Sequence, residues 1–251
     1  MRASDVSVVV ATRNRIGYLT DCLEWLAKQK TAAKYEVVVV DNGSDDGSPE
    51  MLQQWCSDHS NFRLVREKRR FGKSRALNAG CEEATGRLLL ITDDDALTDP
   101  HWIEAYRLFF EGREGHLVMA GGVIRPVQMD LKPWPSWLSQ SATPLLGELD
   151  HGSERPLKEF EHVWGPNLGF TAEVFKRLGS WDESATATGA TPTGRFEDIE
   201  YQERVRSAGG TVWFCPEAVV RHRVKAEVTP RMVLRRAFIS GANDRYRQTL
   251  E

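Results

Sequence analysis

The chain predicts an α/β fold in which helices flank a mostly parallel central sheet, and three observations predict it. Residues 7–11 (SVVVA), 36–40 (EVVVV) and 88–92 (LLLIT) are short, continuously apolar runs, the pattern of strands buried on both faces. Between them lie segments whose apolar residues recur at helical spacing, giving alternating βα units. Polar and acidic clusters follow these strands, at the edge where open α/β sheets bind ligands.

The elements follow in order. After the first strand, Ile16, Leu19, Leu23 and Leu26 recur at intervals of three and four and define one apolar helix face. After the second, Ser48 as N-cap and Pro49 at the first helical position open a helix reaching about Cys56. Residues 62–65 read as a short strand. The helix led by Gly72 puts Leu77, Gly80, Cys81 and Ala84 on one side, and Asp99-Pro100 opens the helix after the third strong strand. From about Val118 a strand through Val123 leads into a stretch carrying Pro126, Pro133, Pro135, Pro144 and Pro156, where the βαβ rhythm is lost. Trp134, Trp137 and Trp164 mark that stretch as an ordered insertion. With Trp181 they offer aromatic faces for sugar rings, or else simple packing. Residues 184–194 (SATATGATPTG) are small and polar and predict a mobile loop closing over the site. A helix over 197–208, a strand over 211–215 and a basic helix over 230–247 complete the chain.

Bulk properties exclude several classes. At 251 residues, 33 basic and 36 acidic side chains leave a net charge of -3, which lacks the basic footprint of a nucleic-acid binder. Cys22, Cys56, Cys81 and Cys215 form no CxxC pair, so no zinc or disulfide framework is expected and a reducing, cytoplasmic setting is. No secretory signal is legible, and no apolar run approaches the ~20 residues of a membrane span. A peripheral membrane contact through the basic C-terminal helix stays open beside ordinary packing of that helix, and so does a homodimer.

Three clusters carry chemistry. Thr12-Arg13-Asn14-Arg15 and Asp41-Asn42-Gly43-Ser44-Asp45-Asp46-Gly47 offer directional donors and acceptors suited to a nucleoside, or alternatively cap the next helices. Asp93-Asp94-Asp95 sets three carboxylates at a strand end, where mutual repulsion calls for a cation or full hydration. Asp93, Asp95 and Glu104 fit three positions of an EF-hand loop, but Leu97 and Thr98 stand where a ligand and a glycine belong. An acidic helix cap is the other bland alternative. Phe196-Glu197-Asp198 opens a helix, and His222 follows a strand between Arg221 and Arg223.

Taken together, TRNR, VVVVDNGSDDG, GKSRALNAG, LLLITDDDALTD and FEDIE resemble, in order and spacing, the family 2 glycosyltransferases over roughly residues 5–225. The resemblance implies a Rossmann-like sheet of GT-A type with an acceptor-side insertion and a C-terminal helix. It implies one continuous domain in which residues 1–125 bind the nucleotide sugar and 126–251 bind the acceptor. It implies an inverting enzyme that moves a sugar from a nucleotide diphosphate donor, UDP favoured, to a saccharide, lipid-linked or small-molecule hydroxyl acceptor. Carried over by position, Thr12, Arg15, Asp41, Asn42, Lys73, Arg75, Asp93 and Asp94 line the nucleotide site. Asp95, Asp93 and His222 hold manganese or magnesium, and Asp198, with Glu197 beside it, is the catalytic base. Trp164 and Asn167, in WGPNLG, stand near the transferred sugar and acceptor. Asn42 departs from the consecutive aspartates of many members, which leaves the base identity open. A non-catalytic nucleotide-sugar binder and a sugar nucleotidyltransferase remain the alternatives, the latter lacking its glycine-rich phosphate loop; no GxGxxG supports a dehydrogenase.

Overall fold

The computed structural model describes residues 4–67, 72–113, 115–128, 132–183, 197–224 and 228–238. Four parallel strands form one side of the sheet: β1 (Val6–Thr12), β2 (Tyr35–Asp41), β3 (Phe62–Arg66) and β4 (Leu88–Asp93), in the order β3-β2-β1-β4. The sheet continues through β8 (Leu168–Thr171), antiparallel to β4, then β6 (Val118–Gln128), β9 (Thr211–Val224) and β5 (Ala96–Thr98). A two-residue β7 (Arg155–Pro156) pairs with β9.

Why the strands are continuously apolar is visible in their neighbours. Along β1, Val6, Val8 and Val10 enter one core with Leu19, Leu23 and Leu26 of α1 (Ile16–Ala27) and with α4 (Trp102–Phe110). Val9 enters the opposite core with Ala76, Leu77 and Cys81 of α3 (Lys73–Glu83), and with Val174 of α5 (Ala172–Leu178) and Tyr201 and Val205 of α6 (Glu197–Ser207). Side chains alternate across a strand, so a strand covered on both faces needs apolar residues at every position. Each fully buried valine or leucine contributes about 1.5–3 kcal/mol relative to exposure. Gly80 lets α3 approach closely, since a Cβ there would lie 2.4 Å from Val9 Cγ1.

Several expected boundaries shift. The helix α2 (Ser48–Asp58) begins one residue early, with Gly47 at φ 85° as its cap and Ser48 inside. The capping oxygen comes from Asp46, whose Oδ1 accepts from Ser48 N at 3.1 Å. Asp99 likewise precedes α4 by a turn, its Oδ1 accepting from His101 N at 2.9 Å. The final strand extends to Val224, so His222 lies within β9, not after it. Trp181 is 1% exposed and stacks on Tyr201 at 4.2 Å, which makes it a core residue and not a sugar platform. In the proline-rich stretch the structure has β8, α5 and a 3-10 turn over Gln140–Leu146, none predicted.

β6 runs across positions 125 and 126, so the chain on either side shares one sheet. Residues 230–238 form a helix whose Met232 and Val233 pack on Leu146, Val224 and Val228, while Leu234 and Phe238 stand exposed. The expected mobile loop at 184–194 and the rest of the basic helix, 239–247, lie outside the described residues. Among the described residues no helix is long and apolar enough to cross a membrane.

Candidate active site

Register brings the clusters together. Thr12 pairs with Asp41 across β1 and β2, and Ala11 pairs with Asp93 across β1 and β4, so the three polar strand ends lie level on one edge. On the far side Ala96 of β5 pairs with His222 of β9, which brings the imidazole beside the aspartates. A histidine distant in sequence thereby joins the strand-end triplet.

The three aspartates have three environments. Asp94 accepts from Thr12 Oγ1 at 2.7 Å and from Arg15 Nη1 at 2.8 Å, and burial raises its pKa to about 6 despite the arginine. Asp95, fully buried, lies 3.3 Å from Arg15 Nη1 and 3.1 Å from His222 Nε2. Asp93 pairs with Lys73 Nζ at 2.8 Å; burial opposes its ionisation, yet the lysine beside it holds its carboxyl below the ordinary carboxylate range. One ligand atom from each of Asp93, Asp95 and His222 lies within 4.8 Å of the others, and this group can hold a metal ion. Two carboxylates and an imidazole form a donor set suited to a divalent cation of borderline hardness. Glu104 is elsewhere, accepting from Thr31 and Arg107, which removes the EF-hand alternative.

The loops that carry the nucleoside candidates are stitched to each other. Asn14, in a left-handed conformation at φ 52°, accepts from Asp45 N at 2.8 Å and donates its own N–H to Ser44 Oγ. Asp41 accepts from Ser44 N at 3.0 Å. Asn42 donates through Nδ2 to the Gly72 carbonyl at 3.1 Å, and its buried Oδ1 has no hydrogen-bond partner among the described residues. Arg75 faces Glu67 and Glu183 instead of Lys73's neighbours, at 3.3 and 3.2 Å.

Asp198 stands in the first turn of α6, where its Oδ2 accepts from Gly165 N at 2.7 Å. Burial, opposed by Lys73 and reinforced by Glu197, raises its pKa to about 6. Lys73 Nζ also lies 3.9 Å from Glu197 Oε1, and a Cβ on Gly165 would sit 3.0 Å from Lys73 Nζ and 2.9 Å from Asp198 Oδ2. Lys73 therefore links the β4 triplet to the α6 pair, with Gly165 packed against both groups. Sequence reasoning missed Gln202, one turn beyond Asp198 and fully buried. Its amide brackets Val163, donating to the carbonyl and accepting from the N–H, both at 2.9 Å, and donates to the Asp198 carbonyl at 2.7 Å. No local motif marks it; only the i, i+4 relation to Asp198 does.

Trp164 precedes the turn Gly165–Asn167 and is half-buried. Asn167 faces away from the cleft: it is fully buried, accepts from Trp102 Nε1 and Tyr106 OH at 2.8 Å, and donates to the Val123 and Ala218 carbonyls at 2.9 and 2.8 Å. All four bonding positions of its amide are thus spent on the core. The segment's link to the site runs through the Gly165 amide.

A mostly parallel α/β sheet flanked by helices is the architecture of the GT-A class, and solved structures share that fold. GalNAc-T7 with UDP, GalNAc and Mn2+ superposes with a TM-score of 0.66 at 16% identity, covering 90% of this chain and 44% of that one. The mannosyltransferase PcManGT from Pyrobaculum calidifontis, in complex with GDP-Man and Mn2+, gives 0.60 at 23% identity, covering 88% and 57%. Residues 7–179 match the family model described as Glycosyl transferase family 2, and the chain belongs to that family. Similar curated proteins include the glucosyl-dolichyl phosphate glucuronosyltransferase of Haloferax volcanii, 28% identical over 78% of this chain and 59% of its own length. Validoxylamine A glucosyltransferase of Streptomyces hygroscopicus subsp. jinggangensis is 25% identical over 81% of this chain and 52% of its own. The chain thus spans little more than half the length of these two relatives.

Proposed function

We propose that the chain transfers a sugar from a nucleotide diphosphate carrier to a hydroxyl acceptor, with inversion at the anomeric carbon. The observation that carries this is the position of Lys73, which joins Asp93 of the metal-ligating group to the Glu197–Asp198 pair. Donor and base chemistry need that proximity.

In this reading Asp93, Asp95 and His222 hold manganese or magnesium. A divalent cation there supplies fixed positive charge beside the departing diphosphate. Lys73 adds an ammonium to the same edge. Thr12 and Arg15 orient Asp94 toward the ribose, and Asp41 and Asn42 line the base. The bond from Nδ2 to the Gly72 carbonyl fixes the orientation of the Asn42 amide.

Asp198 accepts the proton of the acceptor hydroxyl as its oxygen bonds to the anomeric carbon, while the bond to the diphosphate oxygen breaks and the diphosphate leaves with the electron pair. General-base assistance of this kind contributes about 10²- to 10⁴-fold. Gln202 and Gly165 fix the carboxylate, Gln202 through the backbone and Gly165 through its amide. With Asp198 as the base and the acceptor oxygen as the nucleophile, the proposed step is a single displacement. Residues 1–125 serve the donor and 126–251 the acceptor, and the exposed Leu234 and Phe238 beside Arg231 and Arg235 suit a peripheral membrane contact.

The test is thermal stabilisation of the protein by UDP, GDP and CDP, each with and without manganese. Ligand at a hundredfold excess over its Kd adds about 2.7 kcal/mol. The expected result is stabilisation by UDP that requires manganese and disappears in Asp95→Asn; indifference to every nucleotide contradicts the proposal.

A further inference from the structure

A cavity of about 620 Å³ is bordered by Arg125, Pro144, Glu148, Leu149, Asp150 and Trp164. Its construction follows from one short backbone bridge. Ile124 of β6 and Leu149 exchange both hydrogen bonds, at 2.9 and 3.0 Å, and bury Leu149. Residues two apart in an extended segment share a side, so Glu148 and Asp150 both project away from that buried leucine.

Arg125 sits between them, donating to Glu148 Oε1 at 2.9 Å and to Asp150 Oδ2 at 2.6 Å. Asp150 Oδ1 accepts from Gly152 N at 2.8 Å, and Glu148 Oε2 accepts from Thr143 Oγ1. Each carboxylate oxygen therefore has one bond and a lone pair left for a ligand. The arrangement is rigid before any ligand arrives. Exposed ion pairs contribute only ~0–1 kcal/mol, and the Ile124–Leu149 bridge already anchors the segment, so stability alone gives little reason for three charged groups here.

Trp164 borders the same cavity, and its neighbour Gly165 donates to Asp198 Oδ2 at 2.7 Å. An aromatic face, two fixed carboxylates and a guanidinium match a ring with an apolar face and a rim of hydroxyls. We infer that this cavity is the acceptor subsite, and that it takes an uncharged polyhydroxylated ring, a saccharide or cyclitol, with one hydroxyl directed at Asp198. The charged lining groups are one arginine and two carboxylates, and both Arg125 terminal nitrogens are already engaged. An incoming phosphate meets net negative charge, so a phosphate-headed lipid acceptor is disfavoured. This subsite rests on the glycosyl-transfer reading above.

The experiment measures nucleotide release from UDP-glucose, UDP-GlcNAc, UDP-galactose and GDP-mannose with manganese. Acceptors are the methyl glucosides, galactosides and mannosides, myo-inositol, and a polyprenyl phosphate in detergent micelles. Neutral polyols are expected to raise release at least tenfold above hydrolysis. In Trp164→Leu, and separately in Glu148→Gln/Asp150→Asn, the polyol KM is expected to rise at least tenfold while the donor Kd moves less than threefold. Acceleration by the polyprenyl phosphate alone, no acceleration by any polyol, or a polyol KM unmoved in both variants overturns the subsite. Absence of nucleotide binding in the parent protein fails the transfer reading itself, a separate result visible by calorimetry.

Discussion

Lys73 is the residue on which the electrostatics of the cleft turn. Its ammonium offsets the burial of Asp93, Glu197 and Asp198, and without it three carboxylates would share a desolvated space. In the proposed function Asp198 accepts a proton, which it can do only when ionised, and burial raises its pKa to about 6. Transfer should therefore fall as pH drops through about 6, tenfold per unit below it. Lys73 lowers the Asp198 pKa, so in Lys73→Met the acid limb of the pH–rate profile should move upward; an unmoved limb would show that the two groups do not interact. That Asp93 ends a strand and that Glu197 and Asp198 open a helix was legible at this scale, because each lies beside a strong strand or helix signal. His222's place was not, since its approach to Asp95 depends on β5 pairing with β9. Asn167 misled for a related reason: a polar residue in a glycine-rich segment resembles a ligand contact until Trp102 and Tyr106 are seen to occupy it.

Single residues hold whole elements in place. Asp46 accepts from Ile16 N through Oδ2 at 3.0 Å and from Ser48 N through Oδ1, so one carboxylate satisfies the starts of α1 and α2. Asp46→Ala should cost about 1–2 kcal/mol, seen as a lowered denaturant midpoint with unchanged slope. Gly80→Val should cost more, ~1–3 kcal/mol or beyond, because the added carbons meet Val9 and Val40 inside a packed layer. A midpoint equal to the parent's would mean that α3 sits less closely on the sheet. The parallel strands and their helices were readable because valine runs and 3.6-residue spacing are local properties. β8 and α5 were not: Leu168–Thr171 is four residues long, too short to show a period, and owes its strand state to partners on both sides.

At the scale of the whole molecule, the sheet lets widely separated segments share one site. β4 brings the triplet, β9 brings His222, and the β6-linked segment brings Glu148 and Asp150 to the cavity beside Trp164. Gln202 ties α6 to residue 163, which joins the Asp198 helix to the Trp164 segment. Because nucleotide and metal contact residues from several elements in the proposed function, their joint binding should raise Tm by more than the sum of either alone. Side-by-side measurement of sugar transfer and nucleotide affinity in Asp198→Asn most directly decides whether this cleft is catalytic. Transfer is expected to fall at least a hundredfold while UDP affinity in manganese stays within threefold of the parent. Transfer at the parental rate would remove Asp198 from the chemistry.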